Sequence, residues 1–260
     1  VRARANAGRH GHCIRIDLRV LAHHHGIRAC RHRRTGGDAH AVARADLQAQ
    51  RAAGELLAHQ GESHRIVLAQ VGVAAGIAIH RAVVERLQRQ GVAMTVPTRR
   101  LAAARHLWSQ PRVHVTVADV MDPPTLARLV AEHDAVVNLV GILHGSEQQF
   151  ERAHVELPRR IAEACAQAGG RRVVHISALG AAADGPSMYQ RSKARGEAVL
   201  GQAAQVDSLR LTAPRPSGIF GAEDRFLNLF AGLQKVFPLM PLAAADARFQ
   251  PVWVRDVVEA

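Results

Sequence analysis

A chain of 260 residues with 48% hydrophobic residues can bury the core of one large α/β domain or two small ones. It shows no apolar run of membrane-spanning length and no signal peptide. The three cysteines, Cys13, Cys30 and Cys165, form no CxxC pair, which argues against a zinc site and for reduced thiols. We therefore expect a cytoplasmic protein with no bound metal and no transmembrane segment.

The formal net charge of +12 is unevenly distributed, which weakens it as a nucleic-acid signal. Residues 1–64 hold eleven arginines against five acidic residues, and nine of the sixteen histidines. They contain no aromatic residue and little apolar periodicity, so we interpret them as a disordered arm and expect no nucleic-acid partner. A second interpretation stays open, because the abundance of Arg, Ala, Gly and His is also typical of a GC-rich gene read out of frame.

Strand and helix patterns alternate from Arg65 onward. The strands are predicted to start at Arg65, Val92, Val113, Asp134, Arg171 and Ser208. The fourth, "DAVVNLVGIL", is an almost unbroken apolar run, which is typical of a parallel strand buried on both faces. The pattern predicts a doubly wound parallel sheet, the Rossmann fold, with ligands bound beyond the carboxyl ends of the strands.

Tyr189 is the only tyrosine of the chain, and Lys193, one of two lysines, follows it at a spacing of four. On a helix these residues share a face. A nearby ammonium lowers the pKa of a phenol, so the pair could exchange a proton with an alcohol or a carbonyl. Ser177 ends the preceding predicted strand and could hold a substrate carbonyl. The alternative is an ordinary amphipathic pair, because YxxxK is frequent by chance.

Several stretches over residues 81–260 together resemble one protein family. They are "VPTRR", "VADVMDP", "DAVVNLVGILHG", "FERAHVELPRRIAEACAQAG", "VVHISALGA", "YQRSKARGE", "RPSGIFG", "DRFLNLF" and "FQPVWVRDVVEA". Their order and spacing are similar to the extended or atypical short-chain dehydrogenases/reductases of the NAD-dependent epimerase/dehydratase type. Within that family they most resemble bacterial relatives of the nucleotide-binding accessory subunit of respiratory complex I.

The resemblance implies a role for each matching residue. Tyr189, Lys193 and Ser177 match the catalytic set, and Lys193 also contacts the cofactor ribose. The remaining matches imply contacts with a dinucleotide, and Asp256 matches an acidic residue on the substrate side. The implied dinucleotide contacts are Asp119, Val120, Asn138, Leu139, Val140, Gly141, Arg215, Pro216 and Ser217.

Cofactor preference can be read from the end of the second predicted strand. NAD sites place a carboxylate there for the ribose 2′-hydroxyl, whereas NADP sites place an arginine for the 2′-phosphate. The chain has Arg99 and Arg100 and no acid at this place. We therefore favour NADP(H) and keep NAD(H) as the alternative. The alternative is that both arginines are ordinary solvated loop residues with no ligand.

The chain departs from the family in its phosphate-binding turn. A GxxGxxG turn should follow the first strand, because its glycines let the main chain approach the pyrophosphate. Here Gly72 and Gly76 are the candidate phosphate-binding residues, but they are out of register, and His80 occupies a family glycine position. Either the turn is degenerate, or the sequence before about Arg81 is out of frame.

These observations define three units: an arm over residues 1–64, an NAD(P)-binding Rossmann domain over residues 65–221, and a partial substrate lobe over residues 222–260. The function expected first is hydride transfer to or from a carbonyl or secondary alcohol, with Tyr189 as acid/base and an unknown small-molecule substrate. The resemblance gives a non-catalytic dinucleotide-binding subunit or assembly factor as the alternative. That protein would be peripheral at the inner face of the membrane, with respiratory subunits as partners. The last alternative is an inactive product with a damaged phosphate loop.

Overall fold

The computed structural model describes residues 16–17, 64–69, 77–206, 209–224, 226–236 and 248–260. Six of its strands form one parallel sheet in the order β4-β3-β2-β5-β6-β7. These strands are β2 (Arg65–Ala69), β3 (Ala93–Thr98), β4 (Val113–Val117), β5 (Ala135–Asn138), β6 (Arg172–His175) and β7 (Arg210–Thr212). The predicted parallel sheet is confirmed, although β5 and β6 end several residues earlier than their apolar runs suggest.

Helices connect these strands in the alternating order that the sequence predicts. They are α1 (Ile77–Arg89), a 3-10 helix (Leu101–Leu107), α2 (Pro123–Ala131), α3 (Glu147–Glu151), a π-helix (Arg152–Glu156), α4 (Leu157–Gln167) and α5 (Met188–Val206). Asp122 caps the start of α2 by accepting from the Thr125 amide, and prolines occupy its first turn. Ser146 and Gln149 form a capping box at the start of α3. No described helix is long and apolar enough to cross a membrane.

The alternation of side chains along β2 divides the core into two layers. Ile66 and Leu68 pack on one face of the sheet, in a cluster that also contains Val84 of α1. Val67 and Ala69 pack on the other face, in the cluster that contains the apolar faces of α2, α4 and α5. These four side chains are each 1% exposed, so β2 after its exposed first residue, Arg65, is buried on both faces as a central parallel strand should be.

The strand order places a crevice at the carboxyl edge of the sheet between β2 and β5. From β2 the chain moves outward to β3 and β4 and then returns to β5 on the other side of β2. The connections after β2 and β5 therefore leave in opposite directions. In open α/β sheets, this switch point is where ligands bind.

Arg171, at the opposite, amino edge of the sheet, binds main-chain carbonyls at the carboxyl ends of two helices, α2 and α4. Its guanidinium donates to the Ala168 and Gly170 carbonyls after α4, at 2.7 and 2.8 Å. It also donates to carbonyls at the end of α2, the shortest bond being 2.7 Å to His133 O. A cation at two helix carboxyl ends satisfies carbonyls that lack partners within the helices and opposes both helix dipoles.

Short elements follow the main sheet. They are β8 (Ile219–Phe220), α6 (Phe226–Val236), β9 (Arg248–Phe249), β10 (Val252–Trp253) and α7 (Val254–Glu259). Strand β10 pairs in parallel with β8, and α7 packs on α1. Arg81 of α1 donates to Glu223 at 2.8 Å, which also joins α1 to the segment after β8. The three predicted units stay a prediction.

The expected disordered or out-of-frame arm falls outside the described residues except for two positions. Ile16–Asp17 forms a short strand, β1, which pairs antiparallel with β9. The predicted phosphate-binding residues Gly72 and Gly76 also lie outside the described residues.

Gly196 is a point of close approach between α5 and the π-helix, and substitution there tests this packing. A Cβ at this position would lie 1.8 Å from the main-chain oxygen of His154. We expect Gly196→Ala to lower the free energy of unfolding by roughly 1–3 kcal/mol, because a main-chain atom has to move. Urea unfolding of the purified chain measures this change.

Gly201 is the matched control, since it lies in the same helix and a Cβ there would meet nothing within 4 Å. Gly201→Ala should stabilise the chain by up to about 1 kcal/mol through helix propensity alone. Equal effects of the two substitutions would contradict the described helix contact.

Candidate functional site

Asn138 fixes the carboxyl ends of β5 and β6 to each other. It is completely buried at the last position of β5. Its side-chain oxygen accepts from the Val140 amide at 3.1 Å, and its nitrogen donates to Nδ1 of His175 at 3.0 Å. His175 therefore carries its proton on Nε2, which is buried without a hydrogen-bond partner among the described residues. The predicted residues Asn138 and Val140 thus lie together at the carboxyl edge of the sheet, and their contact with a dinucleotide stays a prediction.

Lys193 brings helix α5 to the same edge. Its ammonium is 3% exposed and donates to Ile176 O at 2.9 Å and to Val140 O at 3.3 Å. Burial lowers the pKa of Lys193 to about 8. Gly141 lies next to it, since a Cβ there would lie 3.4 Å from Nζ, at ordinary van der Waals distance. The predicted residues Lys193, Val140 and Gly141 are therefore brought together, and half-buried Leu139 directly precedes Val140 along the chain.

Tyr189 lies half-buried one helical turn before Lys193. Burial raises its pKa above the ordinary value of a phenol. Its hydroxyl has no hydrogen bond from or to a described residue. The expected lowering of the Tyr189 pKa by Lys193 is therefore wrong for this structure, because the ammonium is directed at two main-chain carbonyls and the phenol is partly desolvated.

Ser177 is directed away from Tyr189. Its buried hydroxyl donates to Glu197 at 2.8 Å, and Glu197 accepts two hydrogen bonds from the Arg215 Nε and one of 2.6 Å from its Nη2. Glu197 is eight residues beyond Tyr189 on α5, or about 12 Å along the helix axis. The structure therefore joins Ser177 to Glu197 and Arg215, and it does not join Ser177 to Tyr189. The expectation that the Ser177 hydroxyl holds a substrate carbonyl conflicts with this geometry.

The π-helix supplies a residue that the sequence reasoning missed. His154 is completely buried, and its ring lies edge-on to Tyr189 with 5.6 Å between the ring centroids. Its Nε2 accepts from the Ile142 amide at 3.0 Å, and its Nδ1 lies 2.8 Å from the Ser192 hydroxyl. Sequence periodicity does not reveal a π-turn; a lone histidine four positions before a helix proline was the only available signal.

The two candidate phosphate-recognising arginines are available for a ligand. Arg99 and Arg100 follow β3 at the carboxyl edge and are exposed. The turn is held by Thr98, whose hydroxyl donates to Arg100 O at 3.0 Å. No acidic side chain pairs with either guanidinium within the described part of the chain.

The remaining predicted contacts lie on loops at the same edge but differ in what they present. Asp119 accepts from the Met121 amide at 2.9 Å, so its carboxylate stabilises its own turn. Val120 packs its side chain into the core, which leaves its main chain for a ligand. Pro216 O accepts from Leu179 N, and the Ser217 hydroxyl donates to Gln250 O. These two residues thus hold loops together, and Asp256 is exposed on α7.

The buried histidines are held neutral by their surroundings. Burial, together with the nearby Lys193 ammonium, lowers the pKa of His154 and of His175 to about 3. Burial and the neighbouring His106 lower the pKa of His80 to about 4. His80 is 7% exposed near the start of α1, so the residue that replaces a family glycine is packed inside.

These lowered pKa values predict loss of stability in weak acid. A histidine whose folded pKa lies below its unfolded value stabilises the fold above about pH 6.5, and that stability is lost as the pH falls toward 3–4. We expect the free energy of unfolding to fall by on the order of 1 kcal/mol per pH unit for each such histidine. Urea unfolding between pH 6.5 and 5, above the carboxyl range, measures it; constant stability there would contradict the burial.

Comparison with known proteins identifies the family of the chain. The NAD(P)H-binding family matches residues 76–211. The mouse (Mus musculus) protein named NADH dehydrogenase [ubiquinone] 1 alpha subcomplex subunit 9, mitochondrial, is 37% identical over 54% of this chain and 36% of its own length. The 40 kDa subunit of NADH-ubiquinone oxidoreductase from Neurospora crassa is 30% identical over 69% of this chain and 47% of its own. The chain therefore spans less than half the length of these relatives.

Solved structures of nucleotide-sugar epimerases share the fold. UDP-glucuronic acid 4-epimerase from Bacillus cereus, in complex with UDP-glucuronic acid and NAD, gives a TM-score of 0.62 at 16% identity, covering 75% of this chain and 70% of that one. A UDP-galactose 4-epimerase gives 0.60 at 23% identity, covering 75% and 69%. The resemblance inferred from the sequence is confirmed. Its Rossmann-type sheet and the match over residues 76–211 establish that the chain belongs to the NAD(P)H-binding family.

Proposed function

We propose that the chain is a dinucleotide-binding protein whose bound cofactor supports assembly with other proteins and is not turned over. The proposal rests on one observation, which is that the Ser177 hydroxyl and the Lys193 ammonium already have hydrogen-bond partners within the protein. The Ser177 hydroxyl donates a hydrogen bond to Glu197, and the Lys193 ammonium donates to two main-chain carbonyls. Tyr189 therefore stands alone as a neutral phenol with a raised pKa, which is a poor acid/base at neutral pH.

The residues at the carboxyl edge fit a dinucleotide. The switch point between β2 and β5 is the place where parallel α/β sheets bind nucleotides. Gly141 follows β5 beside Lys193, and a glycine at this place allows the main chain to approach a ligand closely. Bound there, the dinucleotide would lie over the loop that follows β5, with Lys193 beneath that loop.

NADP(H) is the proposed cofactor of choice, with NAD(H) as the alternative. Arg99 and Arg100 are exposed, pair with no acidic side chain among the described residues, and follow β3, where a 2′-phosphate would lie. Guanidinium groups bind phosphate through charge-assisted, often bidentate hydrogen bonds. The two epimerase structures give no argument about this preference, because their identity to this chain is below 25%.

The proposed partners are subunits of a respiratory assembly, in line with the names of the mouse and Neurospora relatives. Because the chain spans less than half of those relatives, this partnership is a proposal about the piece of fold that they share. It predicts that the site presents a bound dinucleotide to partner proteins and binds no small-molecule substrate.

A second candidate function, hydride transfer with Tyr189 as acid/base, is favoured by one specific observation. Tyr189 and Lys193 share one face of α5 at the edge where a nicotinamide would be expected. The dinucleotide would supply the hydride; Tyr189 would exchange the proton with the substrate oxygen. This function requires the phenol to be activated by a change that the unliganded structure does not contain.

The third candidate, an inactive product with a damaged phosphate loop, depends on residues 71–76, which lie outside the described residues. Helix α1, which follows them, is well packed through Val84 and buried His80. The three candidates differ first in whether a dinucleotide binds and then in whether it is turned over.

Cofactor preference can be tested with single arginine substitutions. We expect NADPH to bind more tightly than NADH, and Arg99→Ala or Arg100→Ala to weaken NADPH by about tenfold while changing NADH by less than about twofold. Titration of nicotinamide fluorescence gives both dissociation constants.

Arg89 is the matched control, because it is exposed at the end of α1, on the opposite edge of the sheet. Arg89→Ala should leave both affinities unchanged. Equal weakening of NADPH by all three substitutions would indicate general charge attraction and would sink the 2′-phosphate assignment.

Tyr189→Phe separates the binding function from catalysis. The substitution removes only a hydroxyl without a described partner, so a binder should keep its NADPH affinity within about twofold and its thermal stability. Wild-type chain should show no substrate-dependent oxidation of NADPH at 340 nm with carbonyl compounds. Turnover that Tyr189→Phe abolishes would replace the binding proposal with the catalytic one.

A further inference from the structure

His154 occupies an unusual place in the helix between β5 and β6. It lies on the π-helix Arg152–Glu156, inserted between α3 and α4. Single π-turns are rare and occur frequently at functional sites. The widened turn brings the main chain of His154 against α5 at Gly196, and its imidazole is completely buried between the loop after β5 and the start of α5.

The hydrogen bonds of His154 define its tautomer. An amide can only donate, so the Nε2 that accepts from Ile142 N at 3.0 Å carries no proton. The proton is then on Nδ1, which donates to the Ser192 hydroxyl at 2.8 Å. Ser192 donates in turn to the main-chain oxygen of Tyr189 at 3.0 Å. The imidazole thus connects the loop after β5 to the first turn of α5.

The surroundings keep this arrangement fixed near neutral pH. Burial, Lys193 and His175 lower the pKa of His154 to about 3, so Nε2 stays an acceptor. Both ring contacts, edge-on to Tyr189 and tilted against Phe150 at 5.5 Å, restrict rotation of the imidazole. The imidazole is therefore suited to holding two elements together and not to transferring a proton near neutral pH.

We propose that His154 is a positioning residue that holds the loop after β5 in place for the dinucleotide with one ring nitrogen, and Tyr189 in place with the other. The part of this inference that concerns the loop rests on the proposed dinucleotide binding. The part that concerns Tyr189 does not, because it can be measured without a ligand.

Two substitutions separate the two nitrogens. Gln places its carbonyl oxygen near the position of Nε2, so His154→Gln keeps an acceptor for Ile142 and loses the donor to Ser192. Asn places its amide near the position of Nδ1, so His154→Asn keeps a donor for Ser192 and leaves the Ile142 amide without its acceptor. Each variant therefore breaks one half of the connection.

Two measurements read the two halves. Because Tyr189 is the only tyrosine, absorbance at 295 nm after a rapid pH jump reports its ionisation alone, before alkaline unfolding. We expect His154→Gln to move the Tyr189 pKa down toward its ordinary value of about 10, and His154→Asn to leave it unchanged. We expect His154→Asn to weaken NADPH about tenfold, and His154→Gln to weaken it less than about threefold.

His133→Gln is the matched control. His133 is also a buried histidine with two hydrogen bonds, to Leu129 O and to the Thr95 hydroxyl, but it lies at the amino end of β5. It should lower stability without changing the Tyr189 pKa or the NADPH affinity. If the two His154 variants change stability alone, as His133→Gln does, the inference is overturned.

The outcome also distinguishes this inference from the proposed function. If wild-type chain binds no NADPH, the proposed function fails, and the Tyr189 titration of the two variants still decides the second half of the inference. If wild-type chain binds NADPH and both variants match wild type in both measurements, the proposed function stands and the inference fails.

Discussion

The buried ammonium of Lys193 is the interaction on which the carboxyl edge of the sheet depends. It joins the main chain after β5 to that after β6 from a third element, α5. Burying an ammonium is costly unless its protons are bound, and two carbonyls bind them here. A lysine suits this place, because its compact ammonium on a flexible stem can donate to both carbonyls at once.

That commitment shapes the chemistry of the neighbouring residues. The same positive charge helps to keep His154 and His175 neutral, so the interior of this edge is a set of fixed, uncharged acceptors and donors around one cation. Glu197, about two turns beyond Tyr189 along α5, accepts hydrogen bonds from the Ser177 hydroxyl and the Arg215 guanidinium. The polar groups of the edge are consequently held in fixed positions, and within the described part of the chain burial alone shifts the Tyr189 pKa, which it raises.

The alternation of strands and helices, the parallel sheet and the shared face of Tyr189 and Lys193 could all be predicted from the sequence. Apolar runs and one spacing of four carry that information locally. The direction of Ser177 could not be predicted, because a strand end shifted by one residue turns a side chain to the other face. Its partner Glu197 is 20 residues away in sequence, and Arg215, which binds Glu197, is a further 18 residues beyond.

His154 was missed for a different physical reason. A π-turn inserts one residue into a helix and leaves no periodic signal in the sequence. The hydrogen-bond partners of the buried His154, Ile142 and Ser192, lie 12 and 38 residues away. Likewise, no single local pattern marks the Arg171 closure of α2 and α4, since it depends on two helices ending at the same place. Long-range polar contacts of this kind are what the structure adds.

Titration of wild-type chain with NADPH and NADH, followed by nicotinamide fluorescence, tests the central claim most directly. The account predicts saturable binding with micromolar affinity, tighter for NADPH, to a chain that circular dichroism shows to be folded. A folded chain that binds neither dinucleotide at millimolar concentration would contradict it, because the carboxyl edge organised by Lys193 would then hold no cofactor.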